Sequence, residues 1–108
     1  MFVVSGPVTV VLLVIVSPLI ETLIMAAILE LLLRFLPPVA AIVLSAIGWG
    51  IAHSMVAPAW GLVIWWPFLI FSTLYVTWSK RSIWMAVAIV FAVHALQNFG
   101  PALLLLRS

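Results

Sequence analysis

The sequence contains no cysteine and no aspartate. Without cysteine there is no disulfide framework and no thiolate metal site, and redox compartment leaves no mark on the chain. Charge is almost missing as well. Glu21, Glu30, Arg34, Lys80, Arg81 and Arg107 are the only charged residues, 6% of 108. A soluble domain of this length could not cover its surface with so few polar groups, which excludes that class. The formal net charge of +2 is too small to point to a nucleic-acid partner. Short segments alternating apolar with polar residues are also missing, which excludes a β-barrel. The opening stretch MFVVSGPVTVVLLVIVSP has no basic residue ahead of its apolar run. It therefore reads as an uncleaved membrane segment rather than a signal peptide.

What is present is hydrocarbon: 69% of residues are hydrophobic, with a mean hydropathy of +1.50. Long apolar runs between sparse charges predict an all-α, polytopic transmembrane helical bundle of about four helices. We expect one transmembrane domain over residues 1–108, with helices at about 7–36, 38–56, 61–78 and 82–99. The first would be roughly 45 Å long against a hydrocarbon core of ~30 Å, so it must tilt, kink at Ser17-Pro18 or begin at the interface. Pro37-Pro38 and Gly100-Pro101 are expected to stop helices. Arg34, Lys80 and Arg81 fall on one side of the membrane and only Arg107 on the other. The positive-inside rule then places loops 36–38 and 79–82 in the cytoplasm of a bacterial-type cytoplasmic membrane.

Of the six Trp, five fit an aromatic belt: Trp78 and Trp84 beside the basic loop, and Trp60, Trp65 and Trp66 at the opposite boundary. Trp49 falls inside a span. The second helix carries a small-residue stripe, Ala46, Gly50 and Ser54, that lets a neighbouring backbone approach closely.

Against this background the polar residues inside the spans stand out: Glu21, His53, His94 and Asn98. Glu21 lies 13 residues before Arg34, His53 lies 15 after Pro38, and His94 lies 12 after Ser82. At ~1.5 Å per residue all three sit roughly 18–23 Å from the cytoplasmic boundary. An acid and two imidazoles thus share one layer. A carboxylate at that depth is costly unless paired or protonated, which argues for function. Each histidine alone, and Asn98 four residues after His94, is as well explained as interhelical glue. Gln97 reads as structural. The shared depth favours a site. Glu30 is about 180° round the helix from Glu21 and four residues before Arg34, the arrangement of a boundary ion pair. Two histidines at one depth also suit axial haem ligation, or with Glu21 a two-His, one-carboxylate metal site.

The motifs P-L-I-E-T-L-I-M around Glu21, W-G-I-A-H ending at His53, and H-A-L-Q-N from His94 to Asn98 resemble a known family. This is the CAAX protease and bacteriocin-processing family (CPBP, or Abi) of intramembrane peptidases, whose motifs are E-E-x-x-x-R, F-x-x-x-H and H-x-x-x-N/B on successive helices. The resemblance spans residues 17–99. It implies a hydrolase in which Glu21 and His53 activate a water while His94 and Asn98 stabilise the oxyanion. It implies no cofactor, and a membrane-embedded or membrane-tethered peptide substrate within the lipid bilayer, with room for an oligomer or partner subunit. Two positions depart from the pattern: Thr22 stands where the second Glu belongs, and Ala26 where the Arg belongs. Family members usually carry further helices outside this four-helix core. The alternative is therefore a catalytically inactive relative, acting as an immunity factor or a partner in a membrane complex.

Overall fold

A computed structural model describes residues 6–107. Among them the chain is helical, with short turns and no strand. Apolar side chains leave the backbone no outside partner for its N–H and C=O groups, and a helix satisfies both within the segment. The first helical rod comprises α1 (Gly6–Val11), a π-helical turn (Leu12–Val16) and α2 (Ser17–Leu32). Then come α3 (Pro38–Ser54), α4 (Trp60–Ser79) and α5 (Ile83–Arg107). Three helical stretches are long and apolar enough to cross a membrane: Gly6–Leu32, Trp60–Ser79 and Ile83–Leu104. The protein is thus an integral membrane helical bundle. At 17 residues α3 is shorter, roughly 26 Å at ~1.5 Å per residue.

Helix ends differ from the sequence expectation in two places, each for a physical reason. The first rod stops at Leu32 rather than Leu36. Arg34 N–H and Phe35 N–H bond carbonyls three residues back, at 3.2 and 3.0 Å, because the prolines ahead disfavour further α backbone. The last helix does not stop at Gly100-Pro101 but runs on to Arg107. A proline withholds only one N–H. Beyond it Ala102 is fully buried, and α1 packs along α5, so tertiary contact carries the helix past the break.

The core is a seam of apolar residues from every long helix: Met25 and Leu29 of α2, Ala41 of α3, Phe68, Phe71 and Tyr75 of α4, and Val87 and Val90 of α5. Helices α3 and α4 form the most intimate pair. Their closeness depends on Gly61, where a methyl group would collide with the Gly50 carbonyl and the Ser54 hydroxyl. Gly50 belongs to the same contact, facing Trp65 and the Gly61 carbonyl, and Ala46 one turn earlier is buried. Deeper in the bundle the Ser45 and Ser72 hydroxyls bond each other at 2.9 Å.

Arg34, Lys80 and Arg81 are exposed in the turns at one end of the bundle. His53, in the last turn of α3, and Trp60, the first residue of α4, lie at the opposite end. That end holds Glu21, His53, His94 and Asn98.

Candidate active site

Glu21 is on the second turn of α2, four residues after Ser17 and so on the same helical face. Its carboxylate lies between two imidazoles. His94 Nε2 approaches Oε1 at 3.2 Å, and His53 Nε2 approaches Oε2 at 3.7 Å. The acid and the two histidines, each from a different helix, therefore meet at one point. Asn98 joins them one turn beyond His94, lining the same cavity of about 120 Å³. Two larger concavities, of about 410 and 360 Å³, have almost wholly apolar walls and contain none of these four residues. Size alone does not mark the site.

The second nitrogen of each ring fixes its tautomer. His53 Nδ1 lies 2.8 Å from the Trp49 carbonyl oxygen, which can only accept, so Nδ1 carries the hydrogen. Nε2 of a neutral His53 then holds a lone pair facing Glu21 and the cavity. His94 is the reverse. Its Nδ1 is buried without a hydrogen-bond partner among the described residues, while Nε2 has the carboxylate within reach, so a neutral ring keeps its proton on Nε2. One histidine offers a base and the other a donor.

Aromatic rings hold both in place. Phe71 stacks on His94 with ring centroids 4.5 Å apart. Phe68 meets His94 edge-on at 5.5 Å and also touches His53 at 5.6 Å. Trp60 closes edge-on against His53 at 5.1 Å. Trp49 stacks on Phe68 at 4.5 Å, so the residue whose carbonyl orients His53 is itself clamped. These rings pack apolar surface against the two imidazoles and fix their orientation.

Asn98 does not point freely into the cavity. Its Nδ2 donates to the Leu13 carbonyl in the π turn at 2.9 Å. One N–H of that amide is therefore committed, and the other is left for the cavity. Gln97, taken as structural from the sequence, proves to line the cavity too.

Other expectations are revised. Glu30 is not held by Arg34; its Oε2 accepts a 2.8 Å hydrogen bond from Tyr75 of α4. Because α2 ends at Leu32, Arg34 has left the helix and the four-residue spacing no longer aligns the pair. Trp60, expected in the aromatic belt, also lines the site. Sequence reading also missed Phe68 and Phe71, since a phenylalanine is unremarkable in a span that is apolar throughout. Thr22 and Ala26 are buried, and the Thr22 hydroxyl has no hydrogen-bond partner among the described residues. Among the described residues no three His, Cys, Asp or Glu are grouped to hold an ion.

Searches of curated proteins and of solved structures found no match. A family model does match, over residues 4–100, and its description is type II CAAX prenyl endopeptidase Rce1-like. That span takes in Glu21, His53, His94 and Asn98 and all but the end of the last helix. The chain belongs to the type II CAAX prenyl endopeptidase Rce1-like family.

Proposed function

We propose that this chain is an intramembrane endopeptidase that cuts a membrane-embedded or membrane-tethered peptide with a water activated by Glu21 and His53. The observation that carries the reading is the Glu21 carboxylate set between two imidazoles, His53 with its Nδ1 on the Trp49 carbonyl and His94 with its Nδ1 unpartnered among the described residues. A water between Glu21 and the His53 Nε2 lone pair loses a proton to that pair as its oxygen bonds to the peptide carbonyl carbon. The carbonyl π electrons move onto oxygen. The resulting oxyanion is met by His94 Nε2–H, whose 3.2 Å bond to Glu21 is long enough to be shared, and by the second N–H of Asn98. Collapse of the intermediate breaks the C–N bond. The proton held by Glu21 and His53 passes to the leaving nitrogen, giving one carboxylic acid and one amine.

The test is Glu21→Gln in the purified chain, assayed on a membrane-tethered peptide. Loss of a general base costs about 10²–10⁴-fold in rate, and the helical circular dichroism should be unchanged. A glutamine variant that cuts as fast as the parent rules the reading out.

A second reading rests on Thr22 and Ala26, which leave Glu21 without the neighbouring carboxylate and guanidinium of the family pattern. In it the chain binds without cutting, as an immunity factor or partner subunit. Cell protection that survives Glu21→Gln supports this second reading over proteolysis.

A further inference from the structure

In an unbroken α-helix the Leu13 carbonyl would accept from Ser17 N–H, four residues on. Here Ser17 N–H bonds the Leu12 carbonyl instead, the five-residue step of a π turn. The next such step would pair the N–H of residue 18 with Leu13, but residue 18 is proline and has none. In the α register the Pro18 ring would press on the Val14 carbonyl, a clash that the wider turn relieves. The Leu13 carbonyl is therefore left without a donor from its own helix. In a water-poor surrounding such a group must find a partner elsewhere. It finds Asn98, 85 positions along the chain, at 2.9 Å. Pro18 is itself buried in the bundle, and the π turn packs along α5.

We infer that Pro18 is a positioning residue for Asn98: by withholding an N–H it frees the Leu13 carbonyl to grip the Asn98 amide and turn its second N–H to the cavity. The grip adds a polar tie between two elements that already pack together, the π turn of the first rod and the far half of α5. With alanine at residue 18, either helical register supplies Leu13 with an internal donor, and the carbonyl returns to the helix axis. What Asn98 then does rests on the protease reading above; the grip itself does not.

The two are separated by two measurements on the full chain in bilayers. In the first, a ¹³C,¹⁸O label on the Leu13 carbonyl isolates its infrared amide band. With Pro18 present, the near-isosteric Asn98→Leu should move that band to higher frequency. With Pro18→Ala, the same replacement should leave it in place. A band indifferent to Asn98→Leu in the Pro18 chain overturns the inference, and so does an undiminished response in the alanine background. The first of these comparisons stands even if Pro18→Ala fails to fold. In the second measurement, on a membrane-tethered peptide, Pro18→Ala should lower kcat about tenfold with KM within about twofold, and add nothing to Asn98→Leu. Losses that simply multiply contradict the inference. If the parent cuts no peptide, the protease reading fails alone and the band still decides the grip.

Discussion

Glu21 has two histidine neighbours but they are not equivalent, because different groups hold their far nitrogens. The Trp49 carbonyl keeps a proton on His53 Nδ1, while His94 Nδ1 has nothing to donate to among the described residues. Nitrogen-15 chemical shifts of the two rings in the reconstituted chain should therefore show His53 protonated at Nδ1 and His94 at Nε2. Finding the same tautomer in both would remove the division into base and donor. A variant such as His94→Ala should cost about 10²–10³ in kcat, the usual loss for one oxyanion donor, measured on a membrane-tethered peptide. At the other end of α2, Tyr75→Phe removes the hydrogen bond to Glu30. Interhelical bonds of this kind contribute about 1 kcal/mol, so the variant should unfold at slightly lower denaturant while cleavage is unchanged. Glu21, His53, His94 and Asn98 were legible as residues because polar side chains are conspicuous in hydrocarbon and their depths could be counted from the basic turns. The partners of Asn98 and Glu30 were not. Both pairings are long-range, and the local four-residue rule pointed Glu30 to Arg34.

Among the elements, the α3–α4 pair decides where His53 sits. The small-residue stripe of α3 announced a close contact, but its counterpart, Gly61, is a single glycine at a helix start and carries no periodic signal. Its Cβ position is occupied by the Gly50 carbonyl and the Ser54 hydroxyl. Gly61→Ala must push the helices apart, at a cost of about 1–3 kcal/mol for an overpacked contact. His53, one residue before Ser54, moves with the end of α3. Thermal unfolding should shift down and cleavage should fall together, whereas Gly48→Ala, with open space at its Cβ, should change neither. The helix ends teach the same lesson from the other side. Pro101 has the local chemistry of a stop, yet α5 continues because α1 packs along it. Pro18 has the same chemistry and produces a π turn instead. At Pro101 the outcome is set by the neighbouring helix, which no local pattern encodes.

At the scale of the whole molecule, a bundle rich in exposed hydrocarbon places its polar trio at the end away from Arg34, Lys80 and Arg81. If those turns face the cytoplasm, as the positive-inside rule predicts, the cavity opens toward the other leaflet. The absence of native cysteine makes this simple to measure. In intact cells, Ala57→Cys in the α3–α4 turn should react with a membrane-impermeant maleimide, and Lys80→Cys should react only after lysis. The reverse pattern inverts the orientation. The fold class was readable because a bilayer permits so few solutions for an apolar chain. The site's walls were not, because Phe68, Phe71 and Trp60 differ from their neighbours only in where the bundle puts them. The central claim is hydrolysis at Glu21. It is tested most directly by incubating the reconstituted chain with a membrane-tethered peptide in H₂¹⁸O and weighing the products. One ¹⁸O is expected in the newly formed carboxyl group from the parent, and no such product from Glu21→Gln. Equal ¹⁸O-labelled product from both chains, or none from the parent, contradicts hydrolysis at Glu21.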